Sequence, residues 1–293
     1  MNGMEQYLAN GICRGSVYGL VAMGFGLIYV STGVFHLAHA AVCAFASYAA
    51  YFALRSFRVH ILVAILAAGV VAALIGLLID LLVYRPLQQR AAPPATLMIS
   101  SLGANVFLTG LLTMLFTTRS IALSQGPEPT HHFYHAILTS SQVYQLITFG
   151  LISTIYVLLM KYSRLGQLCR ALADNASLAA TIGFDVSLVR AGIFAVGSFI
   201  AGLGAALQAL EVGVEPTGGM PLMLFAIAAC IAGGLRRTLG PVLGALLLAS
   251  IQTTTTAVLG STWEAGSAFA VLILLLIYRP EGILSLSRRL EER

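Results

Sequence analysis

Long, almost uncharged apolar runs dominate this chain and leave few folds open to it. Residues 61–83, 143–160 and 191–210 are three such runs, and each is close to the ~20 residues that a helix needs to cross a bilayer. Apolar residues fill 58% of the 293 positions and charged ones only 9%. A water-soluble globular chain carries roughly 25% charge, so most of this surface does not face water. The expected fold class is all-α and polytopic. Hydropathy gives about nine transmembrane helices in a single domain over residues 1–293, at roughly 7–30, 37–54, 60–83, 96–117, 142–160, 189–210, 221–235, 239–258 and 265–278.

Basic residues orient the spans, because loops rich in Lys and Arg stay in the cytoplasm. Arg85, Arg90, Lys161, Arg164, Arg170, Arg190, Arg236, Arg237, Arg279, Arg288, Arg289 and Arg293 all fall on one side. Arg55, Arg58 and Arg119 fall on the other, and Arg14 lies inside the first span. The amino terminus is expected outside and the carboxyl terminus in the cytoplasm. Met1–Gln6 has no basic n-region, and no small-residue cleavage site follows, so no cleaved signal peptide is expected. The net charge of +5 follows from the cytoplasmic loops and does not call for nucleic acid. Cys13, Cys43, Cys169 and Cys230 are scattered singly, as packing residues rather than a disulfide or zinc framework.

One polar island breaks the apolar pattern. Residues 161–185 hold Lys161, Arg164, Arg170, Asp174, Asn175 and Asp185 around a run of good helix formers. A cytoplasmic helix kept between two spans implies a partner for it to touch. The outside segments 118–140 and 211–220 are short for binding domains, so a capture step belongs to another protein. Gly11, Gly15 and Gly19, and again Gly240 and Gly244, repeat at four-residue spacing, which lets helices approach closely in lipid.

Catalytic patterns are missing from the sequence. Lys161 is the sole lysine and is followed by Tyr162, which rules out a phosphate loop ending in Gly-Lys-Ser/Thr. No H-E-x-x-H or G-x-S-x-G occurs, and Asp80 is the one acidic residue well inside a span, with Arg85 or the interface as its expected partner. A proton-coupled carrier is therefore poorly supported, and any uphill work draws on an outside energy source. His131, His132 and His135 have a metal-like spacing, but they sit in a proline-containing loop and are read as ordinary loop residues; no metal or other cofactor is expected.

Two interruptions bear on a solute path. Around Thr32, Gly33, His36 and His39 the apolar run from Val17 to Leu54 is broken, and broken backbone at membrane depth persists only inside protein or beside a watery cavity. A tight turn between two spans and a contact with a permeant solute are both open readings. Arg14 has two readings as well, snorkelling to the outer interface or facing the path.

Four blocks carry a family resemblance across nearly the whole chain, in order. They are Gly15–Leu20 with Gly24–Tyr29 and Thr32–His39; Val83-Tyr84-Arg85-Pro86-Leu87; Leu165-Gly166 with Arg170-Ala171, Asn175, Ala179 and Ile182-Gly183; and Gly233-Gly234-Leu235 through Gly240–Gly244 with Tyr278–Leu284. The chain resembles the permease subunits of branched-chain amino acid ABC importers, the LivH-type half of a permease pair. It departs from that pattern near His36, at Ala40, at Arg236-Arg237 and at Arg14.

The resemblance implies a type II importer. Two related permease subunits form the path, two ABC ATPase subunits bind below, and a periplasmic substrate-binding protein delivers a small molecule. It makes the loop at about 161–188 a coupling helix, with Arg170, Ala171, Asn175, Ala179 and Gly183 toward the ATPase. Thr32, Gly33, His36, His39 and Arg14 are the expected path residues. The expected role is import of a branched-chain or other hydrophobic amino acid across the bacterial inner membrane, without catalysis by this chain. A urea or short-amide permease of the same fold, an autonomous channel and a membrane-embedded enzyme are the alternatives.

Overall fold

The computed structural model describes residues 2–123, 128–133, 136–181, 183–235, 237–279 and 282–283. Each apolar segment of the sequence carries a helix. In chain order these are α1 (Asn2–Thr32), α2 (His39–Arg55), α3 (Ile61–Ile79), the short α4 (Arg85–Gln89), α5 (Pro94–Phe116), α6 (Ser140–Tyr162), α7 (Arg164–Thr181), α8 (Val186–Val212), α9 (Gly219–Gly233), α10 (Gly240–Leu259) and α11 (Glu264–Tyr278). A π-helical turn, Asp80–Tyr84, joins α3 to α4, making one continuous apolar rod over Ile61–Gln89.

Seven helices among the described residues are long and apolar enough to cross a membrane. The other two expected spans, α2 and α9, have 17 and 15 residues. At 1.5 Å per residue, α9 reaches about 22 Å, short of the ~30 Å hydrocarbon core. α2 packs against α3, α8 and α9, and α9 against α1, α2 and α10. Outside the helices, β1 (Thr130–Phe133) and β2 (Ala136–Thr139) form an antiparallel hairpin with Thr130 opposite Thr139, a small departure from the all-α expectation. Thr139 then caps α6 reciprocally with Gln142.

α1 is the axis of the bundle. It is enclosed by α6, α8, α9 and α10, and its Leu20, Val21, Met23, Phe25 and Ile28 are fully buried. Lipid tails are as apolar as leucine, so close packing rather than water exclusion holds such helices together. Of the spaced glycines, Gly11 and Gly15 lie against α10, and Gly19 lies against Phe149 of α6. One of the tight crossings is between α1 and α8, where a Cβ on Gly24 would stand 2.2 Å from the Gly197 carbonyl oxygen. No side chain fits there. By contrast, α5 and α11 keep large apolar side chains exposed, among them Phe107, Met114, Ile273 and Ile277.

Gly24→Leu is expected to destabilise the isolated chain by about 1–3 kcal/mol, the usual cost of overpacking a tight contact. Gly103→Leu on α5, where nothing lies within 4 Å of a new Cβ, is expected to leave stability unchanged. Thermal unfolding of the two variants in detergent reads the difference.

Candidate functional site

The break between α1 and α2 is built from local bonds and one distant network. Thr32 turns its hydroxyl back to the Ile28 carbonyl (2.7 Å) and accepts from the Val34 amide (3.3 Å). Gly33 follows with φ +68°, left-handed backbone that glycine adopts at little cost. Thr32 is half-buried and Gly33 exposed, whereas His36 and His39 are fully buried.

His36 Nδ1 lies 2.7 Å from the Tyr84 hydroxyl, which donates to Ser101 Oγ at 2.6 Å. Ser101 Oγ also accepts the Ala38 amide at 2.9 Å. The break is thus pinned to the π turn and to α5. Phe194 of α8 stacks edge-on against His36 and tilts onto Tyr84. The His36 and His39 rings meet at 5.1 Å. His36 Nε2 and both His39 nitrogens are buried without a hydrogen-bond partner among the described residues.

The same π turn carries Asp80 at its other end. Asp80 was expected to pair with Arg85 or the interface, but the structure corrects this. Its Oδ1 faces the Arg190 guanidinium of α8 at 3.5 Å, and Arg85 is exposed. Asp80 is 2% exposed and the Arg190 side chain 13%, so neither charge can be solvated by bulk water, and the pairing compensates both. One turn of irregular helix therefore bridges α8 at Asp80 and the α1–α2 break at Tyr84. A π turn of this kind is rare in helices and recurs at functional positions.

Arg14 does not stand alone. Its guanidinium pairs with the Glu264 carboxylate at the start of α11, and both side chains remain partly exposed. Nearby on the same end of the bundle, Gln145 donates to Glu211 at 3.0 Å. His131 and His132 stand on β1, where neighbouring side chains point to opposite faces, so helical spacing does not apply to them. His135 lies outside the described residues. Among the described residues, no three His, Cys, Asp or Glu side chains come together as a metal ion would need.

The polar island folds as α7, but its parts divide in a way the sequence did not indicate. Arg170 stays exposed, and its guanidinium donates to the Met160 carbonyl at the end of α6. Cys169 and Leu172 are buried, and Ala171 is half-buried. Burial pushes the Cys169 thiol up from its ordinary range, and a hydrogen bond with Ser31 of α1 opposes part of that shift. This first half is anchored to the bundle.

At Asn175 the backbone leaves the helix (φ −161°, ψ 100°). Its Oδ1 accepts the Leu178 amide at 3.0 Å, the bond of a helix N-cap. At the far end Gly183 (φ +96°) bonds to Ala180, and the Phe184 amide bonds to Ala179, the 6→1 and 5→2 pattern that closes a helix. Asn175 and Gly183 therefore frame a short terminal helix. Ala179 packs inward at 3% exposure, while Leu178 and Phe184 present apolar side chains to the outside. Asp185 then accepts the Leu188 amide at 3.1 Å and caps α8.

Comparisons with known proteins cover almost the whole chain. The family described as "Branched-chain amino acid transport system / permease component" matches residues 7–278. The high-affinity branched-chain amino acid transport system permease protein LivH of Escherichia coli (strain K12) is 29% identical over 294 residues, covering 95% of this chain and 94% of the relative. BraD, the similarly described permease protein of Pseudomonas aeruginosa, is 29% identical over 295 residues, 95% of each chain. A probable branched-chain amino acid transport permease protein, LivH, of Methanocaldococcus jannaschii is 27% identical over 297 residues, 96% of this chain and 92% of the relative.

Among solved structures, PsaBC from Streptococcus pneumoniae in complex with Fab matches 98% of this chain and 94% of that one, with a TM-score of 0.50 and 12% identity. That likeness concerns the fold alone. With seven membrane-length helices among the described residues and a match running from residue 7 to residue 278, this multi-pass membrane chain belongs to the family of permease components of branched-chain amino acid transport systems.

Proposed function

We propose that this chain is the membrane-spanning subunit of an ATP-driven importer that carries a branched-chain or other hydrophobic amino acid across the bacterial inner membrane. The observation that carries this reading is the family match over residues 7–278, and the curated relatives are themselves described as branched-chain amino acid permeases. The chain acts as one domain of nine membrane segments, counting the short α2 and α9, with its amino terminus outside and its basic end in the cytoplasm. It is not an enzyme: ABC ATPase subunits hydrolyse the nucleotide, a periplasmic binding protein delivers the solute, and a second, related permease subunit completes the path. The exposed apolar faces of α5 and α11 suit lipid or that second subunit.

The break at residues 33–38 borders the path in this reading. Thr32 and Gly33 occupy its exposed side. His36 and His39 hold its shape from behind, and their unpartnered nitrogens suit ordered water. Arg14, balanced by Glu264, is the first charged contact from the outer end. The ATPase docks on the tip of α7 through Leu178 and Phe184. Asn175 and Gly183 shape that tip, while Arg170, Ala171 and Ala179 seat the helix on the bundle.

Motion of the tip passes through Asp185 into α8. From there Arg190 and Asp80 transmit it to the π turn, and Tyr84 and His36 carry it to the break. The lever therefore ends at the place where the path is least regular.

Uptake decides the central reading. In cells holding the complete transporter, accumulation of radiolabelled leucine against its gradient is expected, and deletion of the ATPase subunit is expected to abolish it while this chain stays in the membrane. Leucine flux that persists without the ATPase would indicate a channel instead.

Phe184→Asp is expected to weaken co-purification of the ATPase subunit by about 10-fold or more, the cost of losing one well-packed apolar anchor, with the chain still in the membrane.

Asp80→Asn leaves Arg190 buried without its counter-charge, a loss of about 3 kcal/mol or more for a pair of this kind. Lower uptake per ATP hydrolysed is expected in proteoliposomes, with partial recovery when Asp80→Arg is combined with Arg190→Asp.

A further inference from the structure

At the basic end of the bundle, α6, α7 and the turn between α9 and α10 enclose an open cleft of about 690 Å³. Val157, Met160, Lys161, Arg170, Arg237 and Leu239 line it. It adjoins a narrower slot of about 110 Å³ between α1, α6 and α7, which shares Met160, Arg170 and Arg237 with the cleft and is walled by Leu27, Val30, Tyr156 and Pro241. The mouth is cationic and the slot mostly apolar.

Among the described residues, the three charges of the mouth have no protein counter-charge. The ion pairs among the described residues are Arg14 with Glu264 and Arg190 with Asp80. Arg170 is bonded to a backbone carbonyl, and Lys161 stands 5.1 Å over the Tyr162 ring. No acidic side chain lines either cavity among the described residues. Such a mouth selects an anion and has nothing to pair with the ammonium of a zwitterionic amino acid.

Position supplies the second constraint. Lys161 closes α6 and Arg237 precedes α10, so the mouth lies at the level where two spans leave the membrane. The apolar walls run on to the exposed Leu158 and Leu159 of α6 and Leu243 and Leu247 of α10, faces that meet hydrocarbon. Basic pockets between spans at the headgroup level are where anionic lipids bind.

We infer that this cleft is a binding site for an anionic phospholipid. The phosphate lies against Lys161, Arg170 and Arg237, and one acyl chain enters the slot beside Leu27 and Val30. Bound there, the lipid joins the anchored half of α7 to α6 and α10, leaving the tip beyond Asn175 free for its own partner. The inference rests on the chain spanning a membrane and not on the identity of its cargo.

The test uses the complete purified transporter, delipidated and placed in phosphatidylcholine nanodiscs with increasing phosphatidylglycerol, with bound lipid counted by native mass spectrometry. Wild type is expected to hold phosphatidylglycerol in preference to phosphatidylcholine, unaffected by millimolar inorganic phosphate. Lys161→Gln combined with Arg237→Gln is expected to bind it about 30-fold more weakly, about 1 kcal/mol for each basic residue removed.

Val30→Phe fills the slot while leaving every charge in place, and is also expected to weaken binding. ATPase co-purification and melting temperature confirm that both variants remain folded. Equal retention by wild type and both variants would overturn the inference. Displacement by inorganic phosphate would reduce the cleft to a simple anion site, and expulsion of the lipid on ATPase binding would make it a protein interface; either result also overturns it. Leucine uptake is scored separately, so failure of the lipid site and failure of the transport reading give different results.

Discussion

Hydrocarbon offers no hydrogen bonds, so a backbone group buried in it must find its partner within the protein. The helices meet this requirement alone, and the informative places are where a helix stops. Between Thr32 and His39 the freed groups are collected by Thr32 and Ser101. Ser101 is held in turn by Tyr84, and Tyr84 by His36. The break is therefore a joint property of α1, α3 and α5. The π turn exists in the same context, since it brings Tyr84 to the break while Asp80 faces α8. Remove either contact and an unsatisfied polar group is left in the interior, at a cost of about 1–3 kcal/mol for a neutral group and more for a charged one.

Much of the architecture was legible in the sequence because hydropathy is a local property. Each apolar run became a helix, and the polar island became α7. What sequence could not give was partnership across distance. Asp80 lies five residues from Arg85 and 110 from Arg190, and spacing alone favoured the near one. The π turn, which no residue pattern announces, changes the helical register between Asp80 and Arg85. Glu264, 250 residues from Arg14, was invisible for the same reason.

The island illustrates a second limit. The resemblance puts Arg170, Ala171, Asn175, Ala179 and Gly183 on one coupling surface, yet the residues of the island divide into three roles. Arg170 bonds to the end of α6 and Ala179 faces the bundle, Asn175 and Gly183 close the two ends of a short helix, and Leu178 and Phe184 occupy its outer surface. A cap is detectable from sequence only once the helix boundary is known. Asn175 lies inside a run of helix formers, where nothing marks a boundary. Leu178 and Phe184 read as ordinary apolar residues until the fold exposes them.

The division of α7 also decides which way a push on it can travel. The half before Asn175 is tied to α6 and α1, so it resists displacement. The half after Asn175 is separated by non-helical backbone and runs through Gly183 and Asp185 directly into α8. Arg190 lies five residues beyond the Asp185 cap, within the second turn of α8, and a shift of that helix end acts on its pairing with Asp80. At an effective dielectric of about 20, two unit charges about 4 Å apart attract by about 4 kcal/mol, and doubling the separation halves that. The change of about 2 kcal/mol falls within the roughly 1–3 kcal/mol by which distant sites are commonly coupled. Under the proposed coupling, a pair buried at this depth is strong enough to hold one arrangement of the π turn, yet weak enough for a docked ATPase to release it.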